Sequence, residues 1–153
     1  MNAIRQKIDL IISRILIFIM SLMVLNVLWQ VFTRYLSDTP SSFTDELSRY
    51  LMIWLGILGA AYVSGKNMHV AIDYLPSQLD EKPRKRLAIF VHIVVLLFAL
   101  FALVIGGARL VYISYILGQT TAALGMPLAV VYLVIPLSGL LIVYYKLADL
   151  FNK

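Results

Sequence analysis

The feature that most restricts this chain is a series of long stretches with almost no charge. Leu87 to Ala108 carries no formal charge, and Leu110 to Tyr145 again carries none. A helix rises about 1.5 Å per residue and the hydrocarbon core is about 30 Å thick, so about 20 mostly apolar residues make one crossing. Four segments satisfy this: 15–35, 44–65, 87–108 and 127–145. The reading is therefore an all-α integral membrane protein with four transmembrane helices, in a single membrane domain over residues 1–153.

The boundaries come from local chemistry. Ser37-Asp38-Thr39-Pro40-Ser41-Ser42 is turn-forming and ends helix one. Ser42 or Thr44 is placed to cap helix two, with Asp45 and Glu46 in the first turn, where the helix dipole favours negative charge. Gly118-Gln119-Thr120-Thr121 and Gly125-Met126-Pro127 interrupt the second charge-free stretch, so helix four starts at Pro127, and Pro136 predicts a kink within it. Arg5 and Lys7 precede an apolar run too long for a secretory h-region and without a small-residue cleavage site, so the segment reads as a retained helix.

Basic residues set the orientation. Arg5, Lys7 and Arg14 precede helix one, Lys66, Lys82, Arg84, Lys85 and Arg86 join helices two and three, and Lys146 and Lys153 follow helix four. The excess of Lys and Arg on cytoplasmic loops makes both ends cytoplasmic. The connection from Lys66 to Arg86 mixes Val70, Ile72, Tyr74, Leu75 and Leu79 with charges, an amphipathic cytoplasmic segment expected to lie on membrane lipids. The net charge of +5 is spread between apolar runs and forms no stripe with stacking aromatics, so nucleic acid is not an expected partner. The chain has no cysteine, which excludes disulfides and thiolate metal sites.

Ionisable groups within a span are functional candidates because burying them in lipid is costly. Arg34 and Arg109 lie near helix ends and can snorkel. Glu46 and Arg49, three apart, share a helix face and either pair with each other or reach a partner protein. His92 reads as a neutral, hydrogen-bonded histidine, because no acid in helices one, three and four before Asp149 would complete a proton relay. His69 and Asp73 are four apart but lack further ligands, so no metal or cofactor site is expected. Asn26 and Gln30 in helix one should face protein. Gly56, Ala60 and Ser64 recur every four residues, and Ala102 and Gly106 repeat the spacing in helix three, which permits close helix approach within the chain or onto a partner. No phosphate-binding loop or nucleophilic triad occurs, and the chain reads as a non-enzyme.

The string Glu46-Leu47-Ser48-Arg49-Tyr50, then Trp54, Gly56 and Gly59-Ala60-Ala61, followed by Lys66 and His69-Val70-Ala71-Ile72-Asp73, resembles the small membrane subunit of tripartite ATP-independent periplasmic (TRAP) transporters, the DctQ-like family. Gly125-Met126-Pro127, Tyr132 and Ile135-Pro136 extend the likeness. The resemblance implies an accessory subunit of the bacterial inner membrane, bound to a larger membrane subunit as part of a static scaffold. It also implies a periplasmic binding protein that delivers an organic acid of dicarboxylate or sialic acid type, and sodium coupling located in the larger subunit. Carried onto this sequence, Glu46, Arg49, Trp54, Gly56, Gly59, Ala60, His69 and Asp73 become candidates for subunit contact or packing, and the outer-loop residues Asp38, Asp45 and Thr120 for contact with the binding protein. A self-oligomerising small channel or exporter is the alternative function, with the small-residue faces as self-contacts.

Overall fold

A computed structural model describes residues 2–37, 41–66 and 81–151. Helix α1 (Asn2–Ser37) is followed by α2 (Ser42–Gly65) and α3 (Glu81–Phe98). The chain continues from α3 through a π-helical stretch, Ala99–Gly106, into α4 (Gly107–Ile116), then forms short α5 (Leu128–Tyr132) and α6 (Val134–Phe151). Four stretches are long and apolar enough to cross a membrane: Arg5–Leu36, Ser42–Gly65, Arg86–Ile116 and Leu128–Leu150. His69 and Asp73, Asp38 and most of the connection from Lys66 to Arg86 lie outside the described residues.

Several helix limits differ from the sequence reading, among them the start of α3 at Glu81, six residues before the expected one. Helix α1 begins at Asn2 and α6 runs on through Lys146 and Asp149, because Arg5 and Asp9 in the first extension and Lys146 and Asp149 in the second find partners in other helices. The third span continues past Arg109 to Ile116, since Arg109 is exposed at the side of the helix and does not interrupt its hydrogen bonding. The N-cap of α2 is Ser41, ahead of both expected capping residues. Its side chain makes no capping bond; the Thr44 hydroxyl donates to its carbonyl oxygen at 2.9 Å.

The fourth span is the most buried and forms the centre of the packing. One core joins Ile19 of α1, Leu58 of α2 and Val134 of α6, with Leu51, Trp54 and Ile135 around it. A second joins Ala61 of α2, Ala99 of the third span and Ile142 of α6. Large apolar side chains on the outer faces of α1 and the third span, among them Phe18, Leu25, Leu28, Phe90, Phe98 and Phe101, point away from these cores. A water-soluble monomer would rarely expose so much apolar surface, whereas lipid tails solvate it well.

Close helix approach occurs at glycines other than those singled out by spacing. A Cβ on Gly139 would lie 2.8 Å from Leu103 Cβ and 3.0 Å from the Val104 nitrogen, so α6 crosses the π-helical stretch nearly backbone to backbone. A Cβ on Gly107 would meet Ile135 Cγ2 at 2.7 Å, and one on Gly65 would meet the Tyr145 ring at 2.7 Å. Gly56 and Gly59 have nothing within 4 Å of such an atom, and Ala60, Ala102 and Gly106 are exposed, so these positions face outward, whereas Ser64, the third member of the α2 stripe, is buried. Within the fourth span the interruption falls at Leu133, between α5 and α6, one turn before Pro136, whose missing N–H leaves the Tyr132 carbonyl without its i+4 donor.

Candidate functional site

The link between the third and fourth spans is built by its glycines. Gly118 takes a left-handed φ of 58° after α4; its N–H donates to the Tyr115 carbonyl at 3.1 Å and the next N–H, of Gln119, to the Ser114 carbonyl at 3.1 Å. This is a Schellman closure, which satisfies the last carbonyls of the helix. The Thr121 N–H then donates to the Met126 carbonyl at 2.8 Å and the Leu128 N–H to the Gln119 carbonyl at 2.9 Å, with Gly125 at φ 65° making the return turn. The tip of the turn, residues 122–124, presents successive backbone N–H groups in one direction, an arrangement suited to an anion.

Glu46 supplies that anion. Its carboxylate accepts the N–H of Ala122 at 2.9 Å, of Ala123 at 2.7 Å and of Leu124 at 2.8 Å. The Tyr50 hydroxyl, one turn along α2, donates to the same carboxylate at 2.9 Å. Glu46 therefore fastens the start of α2 to the distant loop and does not pair with Arg49. Arg49 bonds Asp45 at 2.8 Å, four residues back, and both side chains are exposed. Eight residues beyond Glu46, the Trp54 indole N–H donates to the Val131 carbonyl at 3.0 Å, beside the break between α5 and α6. The expectation that Asn26 faces protein is met: its amide donates to the Thr44 carbonyl and the Ser48 hydroxyl, both at 2.7 Å, joining α1 to α2.

A second polar group lies at the opposite end, which carries both termini. Arg5 pairs with Asp149 at 2.7 Å, donates to the Gly65 carbonyl and lies 5.5 Å from the Tyr145 ring centre. Asp9 accepts the Tyr145 hydroxyl at 2.6 Å and pairs with Lys66 at 3.1 Å, and Lys146, almost fully buried, donates to the Ser64 carbonyl at 3.1 Å. These contacts join α1, α2 and α6. In the sequence these charges read only as topology signals, because the pairs Arg5–Asp149 and Asp9–Tyr145 are more than a hundred residues apart. No local spacing could have found them. The Asp45–Arg49 pair, by contrast, has i,i+4 spacing that could have found it, although the sequence reading offered Glu46 as the partner of Arg49.

Among the described residues no group of three or more His, Cys, Asp or Glu side chains comes together. What the arrangement does chemically is hold helices: one clasp at each end of α2, and a backbone contact between α6 and the third span in the middle. The molecule is thus defined as a four-span membrane protein whose prominent polar side chains are engaged within its own fold.

Comparison with known proteins adds the family. The chain belongs to the DctQ components of the tripartite ATP-independent periplasmic transporters, whose sequence profile matches residues 23–153. Over 157 aligned residues it is 26% identical to the sialic acid TRAP transporter small permease protein SiaQ of Vibrio cholerae, covering 99% of this chain and 86% of that one. It is 34% identical over 104 residues to the C4-dicarboxylate TRAP transporter small permease protein DctQ of Rhodobacter capsulatus, covering 67% of this chain and 44% of that one. A third match, 33% identical over 66 residues, is to the sialic acid TRAP transporter permease protein SiaT of Haemophilus influenzae and covers 43% of this chain but only 11% of SiaT. The family and the four spans make this chain an inner-membrane protein.

Proposed function

We propose that this chain is the small permease subunit of a TRAP transporter and acts as a fixed scaffold for a larger membrane subunit that carries the transport path. The family match over residues 23–153 is the observation that carries the proposal. Three features agree with it. The polar contacts of Glu46, Trp54, Arg5 and Asp9 stiffen the chain internally. The open faces of α2 and the third span are apolar and small-residue-rich, as a lipid-embedded contact with another membrane protein requires. In the SiaT permease of Haemophilus influenzae, a segment similar to part of this chain is joined to much more sequence in one polypeptide, which fits a permanent association.

In this reading a periplasmic binding protein delivers an organic acid, sodium coupling resides in the larger subunit, and the Glu46 end of the molecule faces the periplasm. The relatives are named for sialic acid and for C4-dicarboxylates, so substrate choice is assigned to the partners and not to this chain. Co-expression with a large TRAP permease subunit and purification in mild detergent tests the association. A stable one-to-one complex is expected. A chain that purifies only as its own oligomer, and moves solute across liposomes alone, would refute it in favour of a small channel.

A further inference from the structure

A cavity of about 570 Å³ opens between α1 and α2 at the end carrying both termini, where Asp9, Leu10, Ser13 and Arg14 face Tyr62 and Lys66. We propose that this cavity seats the phosphate of an anionic phospholipid, with an acyl chain descending along α1.

The charge arrangement fits that ligand. Asp9 is engaged twice, by Lys66 at 3.1 Å and by the Tyr145 hydroxyl at 2.6 Å. Lys66 sits 5.6 Å from the Tyr62 ring centre, which steadies its ammonium, and its side chain keeps 40% of its exposure. Arg14 is exposed and makes no hydrogen bond or ion pair among the described residues. Two cations against one carboxylate leave an uncompensated positive charge at the mouth of the cavity, and the hydroxyls of Ser13 and Tyr62 are further donors for phosphate oxygens.

Depth and shape select a lipid over a free anion. Arg14 is the last charged residue before the charge-free run 15–33, and Lys66 is the first after the charge-free stretch 50–65. The cavity therefore lies where hydrocarbon gives way to headgroups, the level at which basic pockets between membrane helices hold anionic headgroups. Leu10 lines the cavity, and Ile17, two turns deeper on the same face of α1, is 63% exposed, so an apolar track leads from the cations towards the bilayer interior. The polar groove at the other end, lined by Gln30, Asp45, Glu46 and Arg49, lacks this character: it holds two carboxylates, and its arginine is already paired with Asp45.

Native mass spectrometry of the full chain, released from nanodiscs of equal phosphatidylglycerol and phosphatidylcholine, tests the assignment. The wild-type chain should retain phosphatidylglycerol in preference to phosphatidylcholine. Arg14→Gln should lower that retention about fivefold, the effect of one basic group near an anionic surface; Arg14→Lys should restore most of it. Arg34→Gln, an exposed arginine near the opposite end of α1, should leave it unchanged. Equal retention of both lipids by the wild-type chain, or undiminished phosphatidylglycerol on Arg14→Gln, overturns the proposal. So does displacement of the lipid by inorganic phosphate, which would make this a site for the free anion. None of these readouts depends on transport, so their outcome is separable from the fate of the scaffold proposal.

Discussion

Replacing Gly139 by alanine should weaken the fold, although alanine is the better helix former. In a helix interior the exchange gains about 1 kcal/mol in intrinsic propensity. At Gly139 the new methyl would lie 2.8 Å from Leu103 Cβ, 2.9 Å from Val104 Cγ2 and 3.0 Å from the Val104 nitrogen. A rotamer change can move the Val104 methyl aside, but Leu103 Cβ and the Val104 nitrogen are fixed by the backbone. Relief therefore requires α6 and the π-helical stretch to separate by several tenths of an ångström along their contact. Overpacking of this kind costs about 1–3 kcal/mol. The net expectation is a loss of up to about 2 kcal/mol after the propensity gain is subtracted. Gly56→Ala is the matched control: the same propensity gain applies and nothing lies within 4 Å of the added carbon, so stability should stay level or rise. Both are measured by titrating SDS into dodecyl maltoside micelles and following helix loss by circular dichroism. A Gly139→Ala chain that is stabilised as much as Gly56→Ala, or a Gly56→Ala chain that loses as much as Gly139→Ala, would refute the claim that the close approach lies between α6 and the third span.

Other substitutions test the clasps at the two ends. Glu46→Gln should accelerate hydrogen exchange at the amides of Ala122, Ala123 and Leu124, which bond its carboxylate, while Arg49→Gln leaves them protected because Arg49 bonds only the exposed Asp45 among the described residues. Trp54→Phe keeps an aromatic side chain but removes the N–H donated to Val131 together with part of the indole's packing volume, and should cost at least about 1 kcal/mol in the same SDS titration. Tyr145→Phe removes the hydroxyl from Asp9, in a residue with no exposed surface, and should cost about 1–2 kcal/mol. A wild-type midpoint for either variant would show that its hydrogen bond contributes nothing net.

The four spans were legible because their signal is summed over about 20 residues each, and no single substitution hides a charge-free run such as Leu87 to Ala108. Gly118 and Gly125 were legible as breakers for a related reason: each occupies a left-handed φ that other residues adopt at a cost. The partners of Glu46 were not legible. A backbone N–H exists at almost every residue, so nothing in Ala122-Ala123-Leu124 marks it as an anion site until the turn aligns its amides. The extensions of α1 and α6 were hidden likewise, since Arg5 and Lys146 read as loop charges unless Asp149 and the Ser64 carbonyl are known to lie beside them. Small-residue spacing identified outward-facing stripes at Gly56 and Ala60 but did not single out Gly107 and Gly139, where adjacent helices press together.

The most direct test of the scaffold role is sodium-driven solute uptake into proteoliposomes that contain the large permease and are supplied with the binding protein, measured with and without this chain. The account predicts uptake that depends on the chain and survives Arg49→Gln, whose exposed pair contributes little to the fold. Uptake at the same rate when the chain is omitted would contradict it.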